Sequence, residues 1–309
     1  MPVYNHAQYV EEAVRSVIAQ TRSDWELIAI DDGSTDGSGE ILDRLAAGDG
    51  RVVVIHQANA GPSVARNAGI ARARGEFLAF LDSDDLWFPD TLAAYAGAFE
   101  ADPAVRFVYG YRHRLNEDGS ITELGPLRQD RPATTADLFA KMFLSHLCLC
   151  YRRELLEQAG GPYDTTLRSC EDYELYLRVS LHCTLYPLGK ATGLRRRHAT
   201  NISLQSGFSR MQEAAILRRF VQRQGGAAVL DKGLVARRLG QLWYASQRQY
   251  FREWCFAQSL QAARQARSYR RTAKGAALAA AAWLLRPLGR SDPRQSTPDL
   301  AAMESTQQD

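Results

Sequence analysis

Trp25-Glu-Leu-Ile-Ala-Ile-Asp-Asp-Gly-Ser-Thr-Asp-Gly37 decides the fold, because an apolar run leads here directly into a loop rich in aspartate and glycine. Apart from Glu26, the first six residues are apolar, and they have the length of a strand that is buried on both faces. Apolar residues at helical spacing precede this strand, namely Val10, Ala13, Val14, Val17 and Ile18. The stretch therefore predicts a helix followed by a buried strand.

The same alternation continues downstream. It predicts helices over Gly39–Leu45 and Ser63–Ala73, strands over Val52–Ile55 and Glu76–Leu81, and a helix opened by Pro89. Strands that alternate with helices indicate right-handed crossovers, so we expect an α/β fold with a mostly parallel twisted sheet flanked by helices. In such sheets ligands bind beyond the carboxyl ends of the strands, where the loops after the Trp25 and Glu76 strands lie.

The regular alternation of strands and helices ends after residue 105. We expect an antiparallel pair around a turn at Asn116-Glu-Asp-Gly119, and then helices over Thr135–Leu144 and Tyr173–Leu181 with a strand over Leu147–Tyr151 between them. From residue 207 the sequence reads as helices only, with breaks at Gly225-Gly226 and Gly275. The interpretation is a catalytic domain over residues 1–206, a basic helical extension over 207–290 and a polar, disordered tail over 291–309.

Composition narrows the class of protein. With 45% hydrophobic and 24% charged residues among 309, the chain is of the ordinary globular type. Its five cysteines are an odd number without a CxxC spacing, which indicates reduced thiols rather than disulfides or a zinc site. No window approaches the roughly 20 apolar residues of a spanning helix, and the N-terminus shows no secretory signal, so we expect a cytoplasmic protein.

Charge is distributed unevenly. Residues 1–209 carry 21 Lys and Arg against 28 Asp and Glu, whereas residues 210–290 carry 16 against 3. Aromatic residues are interleaved with these arginines, so the segment is either an amphipathic helical pack or a surface that contacts an anionic membrane peripherally, at the inner face of the cell membrane. No recognition motif accompanies the charge, so we do not expect nucleic acid to bind.

Acidic side chains collect in the first 172 residues, in three groups: Asp31 with Asp32, Asp82 with Asp84 and Asp85, and Glu171 with Asp172. Like charges a few ångströms apart repel by roughly 1 to 4 kcal/mol at surface dielectrics. A divalent cation would relieve this repulsion, and Mg²⁺ favours one or two carboxylates together with phosphate oxygens. The pattern therefore indicates a phosphate-bearing substrate.

Six short motifs occur in an order that resembles family 2 glycosyltransferases, which are GT-A fold enzymes. They are Pro2-Val-Tyr-Asn5, Asp31-Asp-Gly-Ser-Thr-Asp-Gly37, Ala65-Arg-Asn-Ala-Gly69, Leu81-Asp-Ser-Asp-Asp-Leu-Trp87, Gly160-Gly161 and Glu171-Asp172. The resemblance covers about Met1 to Ser203. It implies inverting transfer of a sugar from a nucleotide-diphosphate donor, UDP-linked, to a hydroxyl of a cell-surface glycan or a lipid-linked acceptor.

The resemblance also implies roles for individual residues. Asp172 corresponds to the general base with Glu171 in support, and Asp82 and Asp84 correspond to the DxD motif. Asp84 is then the expected ligand of Mg²⁺ or Mn²⁺, with Asp82 and His198 near the metal. The residues implied in nucleotide-sugar binding are Pro2, Tyr4, Asn5, Asp31, Asp32, Arg66, Asn67, Asp82 and Ser83.

Each assignment has a structural alternative. The two aspartate loops and the Glu171-Asp172 pair could simply cap helices, and the first loop also mimics an EF-hand, although its twelfth position is Asp rather than Glu. Arg66 and Asn67 could orient a helix, and His198 could be a solvated loop residue. The alternative functions are a catalytically silent, membrane-associated sugar-nucleotide binder and a sugar-phosphate nucleotidyltransferase.

The sequence departs from the family at its start. In the family an apolar strand precedes the Pro-Val-Tyr-Asn motif, which here begins at Pro2. A missing central strand would leave buried backbone groups unpaired, at roughly 1 to 3 kcal/mol each. We therefore expect the first strand to be truncated and the true start to lie upstream.

Overall fold

The computed structural model of the chain describes residues 1–125, 131–198, 207–269 and 272–289. By internal contacts the chain divides into two compact units, Met1–Thr166 with Glu171–Asn201 and Leu167–Cys170 with Ile202–Asp309. The domain boundaries inferred from the sequence, at residues 206 and 290, stay predictions. The polar tail over 291–309 lies outside the described residues.

The described strands all belong to the first unit, and they are Pro2–Val3 (β1), Leu27–Asp31 (β2), Val52–His56 (β3), Phe77–Ala79 (β4), Leu86–Trp87 (β5), Phe107–Leu115 (β6), Ile121–Thr122 (β7), Leu149–Arg152 (β8) and Leu185–Arg196 (β9). Its helices are Val10–Ile18 (α1), Ser38–Gly48 (α2), Pro62–Arg72 (α3), Thr91–Ala101 (α4), Thr135–Ala140 (α5), Glu154–Gln158 (α6) and Glu171–Ser180 (α7). The second unit holds Gly207–Arg223 (α8), Gly226–Val229 (α9), Lys232–Arg252 (α10), Phe256–Tyr269 (α11) and Ala273–Leu285 (α12). Short 3₁₀ turns cover His146–Cys148 and Arg286–Leu288.

The strand from the deciding stretch, β2, lies between β1 and β3 in a parallel three-stranded sheet. Because side chains alternate along a strand, Leu27 and Ala29 pack in the core with α1 and α2 residues, while Ile28 and Ile30 pack with Ala65 of α3 on the other face. Helices thus cover both faces, which explains the continuous apolar run. The α/β class with flanking helices is confirmed.

A second, six-stranded sheet has the order β4-β8-β6-β9-β5, with β7 paired to β6. Its β6–β9 pair is parallel, whereas the other pairs are antiparallel. The β6–β7 hairpin is the one expected from the sequence, and its turn is closed by Gly119 N donating to Asn116 O at 3.0 Å. Parallel pairing therefore dominates only in the first sheet.

The longest strand, β9, was not predicted from the sequence. It carries glycine, lysine and two terminal arginines, so it lacks the apolar alternation of a half-buried strand. It is nevertheless paired on both edges, with β6 and with β5. Glycine at position 193 permits this, because a Cβ there would lie 2.6 Å from Leu86 O and would overlap the Leu147 side chain.

Three predicted helix limits are wrong for local reasons. The helix expected to Leu144 ends at Ala140. Pro89 does not open α4, which begins at Thr91 after the N-cap residue Asp90. Gly275 does not break the last helix. Its N–H donates a hydrogen bond to Oγ1 of the N-cap residue Thr272 at 3.0 Å, so Gly275 lies in the first turn of α12.

A cavity of about 860 Å³ lies in the first unit, between β2 and β4. Leu27, Ile28, Phe77 and Leu78 line it, together with Met1. Strand β1 pairs with only two residues of β2, Ile30 and Asp31. The expected truncation of the first strand stays a prediction.

The second unit is a helical pack in which α10 contacts α8, α11 and α12. Its largest fully buried side chains are aromatic: Trp243, Tyr250, Phe220 and Phe256. The amphipathic-pack interpretation therefore holds for these residues, whereas Trp254 and Trp283 are exposed. Among the helices of the described residues, none is long and apolar enough to span a bilayer.

Candidate active site

The acidic residues singled out in the sequence stand at the ends of elements of the first unit. Asp31 is the last residue of β2, and the loop from Phe80 to Asp85 follows β4. Glu171 and Asp172 begin α7, where the helix dipole favours negative charge. His198 follows the end of β9.

Asp31 and Asp32 are buried and accept hydrogen bonds from their own loop and its neighbour. Asp31 accepts a hydrogen bond from Ser34 N at 3.0 Å and contacts His56 Nδ1 at 2.9 Å. Burial raises the pKa of Asp31, but the hydrogen bonds from Ser34 and His56 outweigh it and hold that pKa below its usual value. Asp32 accepts from Gln57 Nε2 and from the backbone N–H of residues 60 and 61, at 2.7 to 2.9 Å. Both carboxylates are thus hydrogen-bond acceptors that fix the loop geometry.

The Pro2–Asn5 motif holds the same loop from the other side. Asn5 has a φ of 53°, in the left-handed region, and its Oδ1 accepts from Thr35 N at 2.8 Å. Its backbone N–H donates to Ser34 Oγ at 3.1 Å. Tyr4 is 49% exposed, which leaves its ring available to a ligand. The motif therefore fixes the aspartate loop and presents one aromatic ring.

In the loop after β4, three consecutive polar residues point to different partners. Ser83 Oγ lies 2.7 Å from His6 Nδ1, and Asp84 Oδ2 lies 2.9 Å from His198 Nε2. Asp85 is buried and accepts from Arg196 N at 2.9 Å. Burial, together with the nearby charges of Asp84 and Asp82, raises the pKa of Asp85 well above its usual value. The structure thus brings Asp84 and His198 together, and their role as metal ligands stays a prediction.

Arg66 links this loop to the start of α7. Its guanidinium donates to Asp82 Oδ1 and to Glu171 Oε1, both at 2.9 Å, and its side chain is only 9% exposed. Burial alone would raise the pKa of Asp82, but the charge of Arg66 lowers it to about 2. Residues 66, 82 and 171 are thereby held in one ion-pair network.

Asp172 lies beside this network and is partly buried. Burial, and then the charge of Glu171, raise the pKa of Asp172 to about 6, while Arg66 opposes the rise. Within the described part of the chain its hydrogen bond is to Tyr173 N, at 2.7 Å from Oδ1. A carboxylate with this pKa, and one oxygen still able to accept, is suited to general-base chemistry.

Behind the ion-pair network lies a buried aromatic group with unsatisfied polar atoms. His146 packs against Phe80, with ring centroids 4.8 Å apart, and its Nδ1 contacts the Tyr176 hydroxyl. Burial, with Arg66 second, lowers the pKa of His146 to about 3. In this group, the buried polar atoms that have no partner among the described residues are Arg66 Nε, His146 Nε2, Tyr151 OH and Tyr163 OH. Asn67 fixes the chain at Tyr163 by two hydrogen bonds to its backbone, at 2.9 and 3.0 Å.

The predicted metal-ligand set of Asp82, Asp84 and His198 is not found as a three-residue cluster. In the described ranges no three His, Cys, Asp or Glu side chains are close enough to hold a metal ion. The carboxylate of Asp82 is instead paired with Arg66. The pair of Asp84 and His198 still offers one carboxylate and one imidazole, and such a set fits a cation that takes further oxygens from a diphosphate.

Three residues near the site were missed in the sequence. Besides its contact with Ser83, His6 lies edge-on to His198, with ring centroids 6.2 Å apart. Tyr9 packs on His198 at 4.9 Å, and Arg196 covers the Tyr9 ring at 5.0 Å. His6 directly follows the Pro2–Asn5 motif and could have been found by that position. Tyr9 and Arg196 carry no such signal.

Comparison with known proteins gives the family. The sequence model of Glycosyl transferase family 2 matches residues 1–160. The chain is 34% identical over 181 residues to the uncharacterized glycosyltransferase EpsJ of Bacillus subtilis, covering 56% of this chain and 52% of EpsJ. It is 26% identical over 226 residues to the hyaluronan synthase of Pasteurella multocida, covering 73% of this chain and 23% of that protein. The chain thus spans about half the length of EpsJ and less of the synthase.

Solved structures give the fold. S. aureus TarS 1-349 in complex with UDP-GlcNAc aligns at a TM-score of 0.60 with 18% identity, over 93% of this chain and 90% of that one. The mannosyltransferase PcManGT from Pyrobaculum calidifontis, in complex with GDP-Man and Mn2+, aligns at 0.57 with 21% identity, over 92% and 79%. Both likenesses confirm a GT-A fold. The chain belongs to glycosyl transferase family 2.

Proposed function

We propose that this glycosyltransferase inverts the configuration of the sugar it transfers from a nucleotide diphosphate to an acceptor hydroxyl. The observation that carries the proposal is the network of Asp82, Arg66 and Glu171, which joins the loop after β4 to the helix that begins with the raised-pKa carboxylate of Asp172. Donor chemistry and proton removal can then occur at the same edge of the sheet.

Asp172 is the proposed base. The acceptor hydroxyl must lose a proton as its oxygen attacks the anomeric carbon, and the carboxylate of Asp172 takes that proton. A pKa of about 6 is near the optimum for a base at neutral pH, and such a base contributes about 10²- to 10⁴-fold in rate. One displacement from the side opposite the leaving diphosphate inverts the anomeric centre.

The donor is proposed to bind along the loops after β2 and β4. Asp31 and Asp32 would face the base and ribose, the Pro2–Asn5 segment would contribute the exposed Tyr4 ring, and Ser83 and Asn67 would complete the lining. The UDP-GlcNAc in TarS supports a uridine nucleotide, and the GDP-Man in PcManGT makes guanosine the alternative to test.

Asp84 and His198 would hold Mg²⁺ or Mn²⁺, with Asp82 nearby. Bound there, the ion would neutralise charge on the leaving diphosphate, as a Lewis acid does in phosphate chemistry. The Mn2+ in the PcManGT complex supports this assignment, as does the close pairing of Asp84 and His198. Arg66 and His6 hold the surrounding loop in place through Asp82 and Ser83.

The acceptor is proposed to be a cell-surface glycan or a lipid-linked precursor. The hyaluronan synthase relative supports a polysaccharide product, since its name states one. The strongly basic segment of residues 210–290 supports a cytoplasmic protein in peripheral contact with the anionic inner face of the membrane.

A screen of nucleotide sugars with Mg²⁺ or Mn²⁺, read out as released nucleoside diphosphate, tests the proposal. We expect one donor to be turned over, and Asp172→Asn to lower turnover by at least about 10² with donor affinity little changed. Asp102→Asn, an exposed aspartate at the end of α4, is the matched control. Undiminished turnover in Asp172→Asn would remove the assigned base. Donor binding without turnover of any donor would favour a silent sugar-nucleotide binder.

A further inference from the structure

Helix α12 in the second unit has an apolar surface that the described residues leave uncovered. From Gly275 to Leu285 it contains no polar or charged side chain. Its buried positions are only Ala279 and Ala282, whereas Trp283 and Leu284 are 67% and 69% exposed. A helix that is apolar all round is normally buried on every side. Half of this helix therefore presents apolar side chains to the surroundings.

The exposed surface continues onto the adjoining turns. Leu288, in the 3₁₀ turn after α12, is 69% exposed, and Trp254, between α10 and α11, is 55% exposed. The two turns meet, because a Cβ on Gly289 would lie 3.0 Å from the carbonyl oxygen of Trp254. We call Trp254, Trp283, Leu284 and Leu288 the apolar patch.

The backbone conformation of Trp254 is unfavourable for a residue that carries a side chain. It follows the C-cap residue Glu253 of α10 with a φ of 60°, in the left-handed region that glycine normally fills after a helix. A side chain there is strained, and an exposed tryptophan recovers little of that cost by packing in the core. Backbone strain at an exposed aromatic residue indicates that its side chain has a function at the protein surface.

The segment of the second unit that carries the apolar patch has many more exposed bases than exposed acids among its described residues. Among the described residues between 231 and 289, Asp231 is the one acidic residue that is exposed. The exposed bases of the same range are Lys232, Arg237, Arg248, Arg252, Arg264, Arg267, Lys274 and Arg286. Each Lys or Arg near an anionic lipid surface contributes about 1 kcal/mol of attraction, and tryptophan favours the boundary between headgroups and acyl chains.

We propose that the apolar patch docks the protein on an anionic phospholipid bilayer, with α12 lying in the plane of the interface and its flanking bases on the headgroups. A second copy of the chain fits this surface poorly, because two such basic faces would repel each other. The proposal concerns binding and does not rest on the transfer reaction. It would bring a lipid-linked acceptor and the enzyme to the same surface.

The test is co-sedimentation of the full chain with vesicles of phosphatidylcholine alone or mixed with phosphatidylglycerol, together with the tryptophan emission maximum. We expect binding to the mixed vesicles that fades in high salt. The double variant Trp283→Ser with Leu284→Ser should lower the binding constant at least about tenfold. Val229→Ser removes a residue of similar exposure, 52%, from α9 and should bind as the native chain does.

A second variant keeps the test decisive if the double variant folds poorly. Trp254→Gly should weaken vesicle binding while raising the melting temperature by about 1–3 °C, because glycine relieves the left-handed strain. Equal binding to neutral and mixed vesicles, or unchanged binding of both variants, would overturn the proposal. Self-association of the native chain in light scattering that both variants abolish would instead assign the patch to a second copy.

Discussion

Glu171→Gln should lower the pKa of the proposed base. The pKa of Asp172 is about 6 against an ordinary 3.8, a difference worth about 3 kcal/mol, with burial the larger cause and Glu171 the second. Removing the neighbouring negative charge should therefore lower that pKa by about one unit. The amide of Gln keeps an oxygen that can accept from Arg66, as Glu171 does at 2.9 Å, so the loop geometry should persist.

The sign of the effect on rate follows from the role of Asp172. A base works only when ionised, so kcat/KM falls as pH drops through the pKa of Asp172. In Glu171→Gln the acid limb of the pH profile should move to lower pH by about one unit, with the plateau above neutrality little changed. Release of nucleoside diphosphate measures the profile, and the ¹³C shift of the labelled Asp172 carboxyl, assigned by its loss in Asp172→Asn, measures the pKa directly.

The matched control is Glu157→Gln, which removes the same charge from an exposed position on α6. Its profile should coincide with that of the native protein. If the acid limb of Glu171→Gln stays in place or moves to higher pH, then Glu171 does not raise the pKa of Asp172, and the assignment of the pair as base and support is refuted.

Two further predictions concern the metal and the fold. Asp84→Ala should abolish the metal-dependent part of donor binding in calorimetry with Mn²⁺, and native binding that is the same with and without chelator would contradict a metal role for Asp84. Gly193→Ala should lower the free energy of unfolding in urea by about 1–3 kcal/mol, because its Cβ would lie 2.6 Å from Leu86 O. Gly97→Ala, in the middle of α4 with open space around its Cα, should instead raise that free energy by up to about 1 kcal/mol, and equal effects of the two changes would count against the close packing at Gly193.

Arg66 shows how the structure changed the interpretation of a residue that the sequence had singled out. From its motif it could bind the donor or orient a helix. In the structure its guanidinium is buried between Asp82 and Glu171, so two carboxylates from distant parts of the chain share one cation. Its contacts are those of a positioning residue, and its part in donor binding stays a prediction.

The sequence by itself determined the elements whose pattern is local. The continuous apolar run of β2, the helical spacing of α1 and the aspartates that close two strands were legible because periodicity and turn chemistry act over a few residues. These features were enough to predict the α/β class and the family resemblance, and the comparisons confirm both.

Only the tertiary structure decided which of these groups meet. Strand β9 can be identified only from its pairing with β5 and β6, since apolar and polar residues do not alternate along it. The contacts of His6 with Ser83 and of His198 with Asp84, Tyr9 and His6 likewise join segments far apart in the chain. Burial and charge at a site are sums over such distant neighbours, so the raised pKa of Asp172 could not be derived from the residues next to it alone.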